Sequence, residues 1–149
     1  MTLDEYIAKI QGQSSSLKSN LVAALDESAP ATHSDQVLPR IFEKGLKPDL
    51  GKIGNYASDK YKEKRRKKGL QVAFIDMKFS GDLKSEFSKP TRRVTGKTPS
   101  ISFNVLSSEN KEKVVDNEKR RGTIFGLSAP EKQYFVDLLT RTFFAKVFK

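Results

Sequence analysis

The chain lacks several residues and patterns that whole classes of protein require. It has no cysteine, so neither a disulfide framework nor a thiolate metal site can form, which suits a protein kept in a reducing cytoplasm. No apolar run approaches the roughly 20 residues that a membrane-spanning helix needs, and the first ten residues carry two acids where a leader would be basic. We therefore expect no disulfide, no secretion and no contact with a membrane.

Combinations of residues that could form a catalytic site are also scarce. The one histidine, His33, follows a stretch rich in Ser, Ala, Pro and Thr, where we expect it to be solvated and without a nucleophile to activate. Gly45 and Gly51 are separated by five residues where a P-loop has four, and Ile53 occupies the place of the hydroxyl that binds Mg²⁺. We expect Asp76 on the exposed side of a strand and Asp82 in a turn or helix cap. The sequence thus predicts no catalytic residue, no metal site and no cofactor.

Composition nevertheless indicates a folded protein. The 149 residues are 36% hydrophobic and include ten Phe and four Tyr, too many for a disordered chain to leave exposed. We expect a single domain over residues 1–149. The net charge of +10 predicts attraction to an acidic partner, which composition leaves open as nucleic acid, anionic lipid or an acidic protein surface.

Much of this charge lies in residues 60–68, where seven of the nine residues are Lys or Arg. Two interpretations of the run remain open: a solvated loop or helix face, and a basic surface that contacts DNA or an acidic protein. With no zinc-ligand spacing and no aromatic RNA-binding signature, any nucleic-acid binding would be non-specific. The basic residues are Lys60, Lys62, Lys64, Arg65, Arg66, Lys67 and Lys68.

The N-terminal region predicts a long amphipathic helix. Thr2 and Glu5 have capping-box spacing, and the apolar residues that follow recur at alternating steps of four and three, so we expect a helix to about Asp26. This stripe is compatible with a coiled-coil seam, although we expect it to pack on the protein's own core. Residues 28–35 are predicted to be a connection, and Pro39 argues against a helix from Val37 to Phe42. The stripe consists of Leu3, Ile7, Ile10, Leu17, Leu21 and Ala24, with Ser14 interrupting it.

The middle of the chain predicts β-structure. Apolar and polar residues alternate from Ile75 to Ser80, which is typical of a half-buried strand. Ser80 is positioned to cap a short helical turn that carries Leu83 and Phe87 on one face. Thr91 to Thr95 and Ser100 to Leu106 flank turn residues and predict a β-hairpin. In its second strand Ile101, Phe103 and Val105 should share the buried face.

The C-terminal part predicts two further helical regions. Ser107 to Arg121 is highly charged and indicates either an exposed helix or a loop that becomes ordered on assembly. Gly122 should end it, and Thr123, Phe125 and Leu127 should form a short strand. Ser128 and Glu131 then form a capping box with Pro130 in the first turn, so a helix should extend to about Phe148.

The last helix carries apolar residues around much of its circumference. Phe135, Leu138, Leu139 and Phe143 form a stripe that should face the core. Phe144 and Phe148 lie off this stripe, so we expect them in a subunit interface.

Four pieces of this chain, taken in order, resemble a known family. They read IFEKG, GKIGNYAS, YKEKRRKKG and IDMKFSGDLKSEF, and a closing GTIFGLS precedes the last helix. The set resembles tailed-phage virion morphogenesis and tail-completion proteins of the Mu-like type over most of residues 41–149. Ala57, Met77 and Ser80 depart from the family's usual Ser, Leu and Thr. The positions that match the family motifs are Gly51, Gly54, Tyr56, Asp76, Gly81 and Leu83.

The resemblance implies an α+β fold, in which a long N-terminal helix and a C-terminal helix pack on a curved, largely antiparallel sheet. It also implies a non-enzymatic virion protein, assembled in the host cytoplasm and located in the neck or tail. Such a subunit forms a homo-oligomeric ring between portal or adaptor proteins and tail proteins, with packaged DNA passing through. The alternative that the residues leave open is an accessory protein that binds nucleic acid non-specifically.

Overall fold

The computed structural model describes residues 2–95 and 98–148 and has the predicted α+β class. A long helical region opens the chain, a two-stranded antiparallel sheet lies in its second half, and a C-terminal helix packs along the first helix. The elements are α1 (Leu3–Thr32), a π-helical turn (His33–Val37), α2 (Leu38–Phe42), α3 (Asp59–Lys67), α4 (Asp82–Phe87), β1 (Pro90–Thr95), β2 (Thr98–Phe103), α5 (Ser108–Arg121) and α6 (Ala129–Val147).

The capping box at Thr2 is confirmed, but the predicted end of the helix near Asp26 is wrong. The Thr2 hydroxyl accepts from the Glu5 amide at 3.2 Å, and the Glu5 carboxylate accepts from the Thr2 amide at 2.7 Å. The chain then stays helical to Phe42, through residues predicted to be a connection. Pro39 is tolerated because it falls in the first turn of α2, directly after the wider π-helical turn, where a missing amide donor costs little.

The prediction that the α1 stripe packs on the protein's own core is wrong for most of its length. Leu3, Ile7, Ile10, Leu17 and Leu21 are between 43% and 73% exposed, whereas Ala24 is fully buried. Helix α6 starts beside Arg40, and its Lys146 lies beside Glu27, so it runs antiparallel to α1 and packs on the C-terminal part of α1, away from the exposed stripe residues.

His33 does not lie in a solvated loop as predicted. It is 4% exposed, its Nε2–H donates to the Phe87 carbonyl at 2.8 Å, and its ring stacks on Phe103 at 3.7 Å between centroids. Burial lowers the pKa of His33 to about 4, although the Phe87 carbonyl and the charge of Glu131 act in the opposite direction. The imidazole therefore remains neutral at pH 7 and joins the first helical region to α4 and β2.

Residues 75–80 do not form the predicted strand. Ile75 and Asp76 are both buried, and Met77 has a positive φ of 53°, so the alternation of the sequence does not become an alternation of faces. The short helix that follows is confirmed, and Leu83 and Phe87 are buried. Its N-cap is Gly81 and not Ser80 as predicted; the Ser80 hydroxyl accepts only from the Asp82 amide, at 3.4 Å. Asp82 lies exposed in the first turn of α4, as expected.

The predicted hairpin is confirmed in β1 and β2, which pair with Arg92 opposite Ile101. Ile101, Phe103 and Val105 are partly covered, while their neighbours are exposed. The predicted turn residues Gly96 and Lys97 lie outside the described residues.

The charged segment forms α5 and ends at Gly122, whose φ is +80°. The predicted strand at Thr123 to Leu127 is wrong, because the Glu118 carboxylate accepts from the amides of Ile124 and Phe125 and these groups do not enter a sheet. Ser128 and Glu131 form the predicted capping box of α6. The buried core is made of Val37, Leu38, Ile41, Phe42, Ile53, Ile75, Leu83, Phe87 and Ile124.

Candidate functional site

Arg65 and Asp76 form a buried ion pair at the centre of the segment that carries the family resemblance. Arg65 is 1% exposed, and its Nη2 donates to both oxygens of Asp76, at 2.8 and 3.0 Å. Its Nε donates to the Gln71 carbonyl at 2.9 Å, and its Nη1 donates to the Lys78 carbonyl. Arg65 therefore does not belong to the basic surface to which the sequence assigned it, because it is buried and all three nitrogens of its guanidinium donate inside the protein.

Asp76 is likewise not on the exposed side of a strand. Its Oδ1 accepts from the Tyr56 hydroxyl and from the Lys78 amide, each at 3.1 Å, and its Oδ2 accepts from Gln71 Nε2 at 2.8 Å. Burial raises the pKa of Tyr56, and the negative charge of Asp76 raises it further, so the phenol stays protonated and donates. The Arg65 guanidinium also lies over the Tyr56 ring, 4.5 Å from its centroid.

This cluster is suited to holding three segments together. Each of its charged groups already has several partners, so none is left to take a proton from a substrate. It joins the loop at Tyr56, helix α3 and the segment after Gln71. Among residues 2–95 and 98–148, no group of three or more His, Cys, Asp or Glu side chains could hold a metal ion.

The family-motif positions divide between this cluster, a neighbouring cleft and a turn. Gly54 has a φ of +145°, which favours glycine. Its carbonyl accepts from the Ile75 amide at 2.8 Å, so the loop residues before Tyr56 lie next to the segment that carries Asp76. Gly81 and Leu83 line the cleft. Gly51 lies apart, in a tight turn where its amide donates to the Asp49 carboxylate at 2.8 Å.

The cleft beside the ion pair has a volume of about 420 Å³. One wall is aromatic, with Tyr61 and Phe79 stacked at 5.8 Å between centroids. Helix α5 also lines the cleft, although the sequence reasoning did not connect it with the motif. A signal was present, because the polar residues that α5 contributes recur at steps of three and four along a helix. They are Asn110, Lys113, Asn117 and Arg121.

Most of the predicted basic surface is found on α3 and at its end. Lys62 pairs with Asp59 and Lys67 with Glu63, each at 3.0 Å, while Lys68 lies 4.4 Å from the centroid of the Phe79 ring. The remaining three cations of this run are exposed and have no ion pair with any described residue. They are Lys60, Lys64 and Arg66.

Phe144 and Phe148, the predicted interface residues, lie at the end of α6. They are 50% and 78% exposed, and their rings stack on each other at 5.8 Å between centroids and 14° between planes. Phe135 and Leu139, predicted to be buried, are only partly covered.

Comparison of the chain with family models, curated proteins and solved structures finds no match. In the part of the chain that the structure describes, no helix combines the length and apolar character needed to cross a membrane.

Proposed function

We propose that this protein is a single-domain structural virion component, a ring-forming neck or tail-completion subunit that joins the portal side of a tailed-phage capsid to the tail. The observation that carries the proposal is the exposed, stacked pair Phe144 and Phe148 at the end of α6. Aromatic side chains are enriched in protein interfaces, where their large apolar area is removed from water.

The motif cluster supports the same proposal. A subunit that transmits load between a capsid and a tail needs a rigid centre, and the Tyr56–Arg65–Asp76 cluster connects three segments through side chains that are buried and hydrogen-bonded. Assembly chemistry needs no free acid, base or metal. The residues that resemble the family would therefore maintain the shape of the subunit, while other surfaces make the contacts with portal, adaptor and tail proteins.

The basic surface on α3 would face packaged DNA or an acidic neighbour in this assembly. Lys60, Lys64 and Arg66 are free to neutralise phosphates, without base contacts that would read a sequence. The same three residues support the second candidate, an accessory protein that binds nucleic acid non-specifically.

Light scattering after size exclusion, with and without duplex DNA, separates the two candidates. Rings that form without DNA, visible by electron microscopy, support the first. Monomers that form complexes only with DNA, strongly at about 50 mM salt and weakly at about 200 mM, support the second, because phosphate contacts release counterions.

A charge-reversal variant then tests the role of the basic surface. The test variant changes Lys60, Lys64 and Arg66 to Glu together. The matched control makes the same change at three exposed lysines outside the run, Lys44, Lys111 and Lys119. We expect only the first variant to lose DNA retention or assembly, with both folded. Equal behaviour of the two variants would contradict a specific role for α3.

A further inference from the structure

The first 19 residues of α1, Leu3 to Leu21, project beyond the rest of the protein; we call this segment the arm. Near the end of α6, Lys146 Nζ donates to the Glu27 carboxylate at 2.8 Å, and Ala24 is the first fully buried residue of α1. Every residue from Leu3 to Ser19 is exposed. At 1.5 Å per residue the arm is about 28 Å long.

The arm carries an apolar face that no described residue covers. Its large apolar residues recur at alternating steps of four and three, the spacing that places a and d positions along one seam of a coiled coil. Most of the stability of a helix in a protein comes from the packing of its apolar face, which the arm lacks within one copy of the chain. The seam residues are Leu3, Ile7, Ile10, Leu17 and Leu21, with Ser14 at the fourth of the six positions.

The net charge of the arm is the first property that bears on which partner covers this face. The arm holds two acids, Asp4 and Glu5, and two bases, Lys9 and Lys18, so its net charge is zero and the chain's +10 resides in the remaining residues. A partner that touches only the arm meets a neutral, amphipathic helix. A second copy of the arm offers such a surface, but only one orientation keeps the two basic bodies apart.

We propose that the arm pairs in antiparallel orientation with the arm of a second copy of this chain. Seam positions whose numbers sum to 24 then face each other: Leu3 meets Leu21 of the second copy, Ile7 meets Leu17, and Ile10 meets Ser14. The two-fold axis passes at the level of residue 12. Each contact is repeated by symmetry, so the interface closes on itself and forms pairs.

Two electrostatic effects select this orientation over the parallel one. Asp4 and Lys18 both occupy e positions, which face each other across an antiparallel pair, so each arm forms an ion pair at both ends of the contact. Ala24, the first fully buried residue, lies 12 residues from the axis, which separates the bodies by about 36 Å. This distance is several Debye lengths, roughly 8 Å each at physiological salt, whereas parallel arms would place the bodies side by side.

Sedimentation of the full chain over a concentration series tests the pairing. Because the unaltered protein is also proposed to form rings, the series uses the Phe144→Ser/Phe148→Ser background, in which we expect a reversible monomer–dimer equilibrium. The variant Ile7→Asp/Leu17→Asp should stay monomeric with respect to this contact, because it places charges in the seam. The matched control, Ala8→Asp/Ser15→Asp, makes the same change on the outer face of the same helix and should still dimerise.

The orientation is read from disulfides, since the chain has no cysteine of its own. A chain with Ile7→Cys is mixed with a chain with Leu17→Cys under glutathione exchange. Antiparallel arms give the mixed 7-to-17 disulfide, while parallel arms give 17-to-17. Monomers at every concentration, a dimer that survives Ile7→Asp/Leu17→Asp, or mainly 17-to-17 disulfides would overturn the proposal.

The contact is independent of the ring proposed above. A ring needs a contact between two different surfaces on neighbouring subunits, whereas the arm pairs with an identical arm. Loss of arm pairing should leave rings intact, and loss of rings should leave arm pairing intact, so the two proposals can fail separately.

Discussion

Arg40 and Glu131 lie 91 residues apart and form a buried ion pair, with 2.6 Å between Nε and Oε1 and only 5% of each side chain exposed. The other nitrogens of Arg40 donate to the carbonyls of Leu46, Ile124 and Gly126, at 2.7–3.2 Å. Glu131 also accepts from the Ser128 amide at 2.7 Å and so caps α6. One ion pair and the hydrogen bonds of its two residues therefore connect α2, the loop at Leu46, the segment before α6 and the start of α6.

We expect Glu131→Gln to destabilise the protein by about 3–5 kcal/mol, because it leaves the charge of Arg40 buried without a counter-charge. The matched control is Glu109→Gln, which removes an exposed acid that pairs with Lys113 at 2.6 Å. This change should cost no more than about 0.5 kcal/mol. Urea unfolding measures both, and equal costs would show that the buried pair does not fix α6.

Adjacent residues of the basic run should respond in opposite ways to the same substitution. Arg65→Glu places a second acid beside Asp76 in a buried site and should destabilise by more than about 3 kcal/mol, enough to unfold a marginal domain. Arg66→Glu changes an exposed residue and should alter the free energy of unfolding by no more than about 0.5 kcal/mol. Circular dichroism with urea unfolding distinguishes them. A folded, stable Arg65→Glu variant would contradict the structural role of the cluster.

The buried His33 predicts a loss of stability in mild acid. Its pKa is lowered from 6.5 to about 4 in the folded state, so between these values the unfolded state binds more protons. The stabilisation is complete above pH 6.5 and is lost as the pH falls toward 4, by about 3 kcal/mol in total.

A Gln at position 33 provides the control, since its amide can also donate to the Phe87 carbonyl but does not titrate. The Glu86 carboxylate has a pKa lowered to about 2 by the backbone amide of Ser107, with help from that of Leu106, so its contribution is lost only below its ordinary value of 4.5. Urea unfolding from pH 6.5 to pH 4.5 therefore isolates His33. If His33→Gln loses as much stability as the unaltered protein over this range, the assignment is wrong.

Replacing both Phe144 and Phe148 with Ser should abolish rings and leave a soluble, folded protein. Both rings are largely exposed, so the substitution removes little buried area from the subunit itself. The control is Val136→Ser, which changes another exposed apolar residue of α6, 52% exposed, near its start. Light scattering reports the assembly state and circular dichroism the fold. Unfolding of the double variant, or normal rings, would contradict a subunit face at this end of α6.

We expect Phe135→Ala to lower the free energy of unfolding by less than the same substitution of a fully buried Phe would. Its side chain is only partly covered and lines a cavity of about 290 Å³ with Thr32, His33 and Phe103, so the expected loss is about 2 kcal/mol, below the usual 3–5 for a buried Phe. Urea unfolding measures the loss. A cost above about 4 kcal/mol would indicate that a neighbouring subunit covers this cavity in solution.

The sequence by itself determined the features that depend on near neighbours. The capping boxes at Thr2 and Ser128 fix helix starts because the paired groups lie three residues apart, and Gly122 ends α5 because few other residues adopt its positive φ. The hairpin follows from alternation across a short turn. The residues in each of these interactions lie close together in the chain, so their pattern can be recognised in the sequence.

Only the tertiary structure decided which charged groups are buried and where the chain remains helical. Arg65 has the same sequence surroundings as Arg66, yet it is buried because Asp76, Gln71 and the Lys78 carbonyl meet it there. Residues 28–32 stay helical despite Pro30, in the helix against which α6 packs, and residues 75–80 form no strand because, within the described residues, no second strand pairs with them. These outcomes depend on contacts between residues far apart in the chain, and local propensity does not encode such contacts.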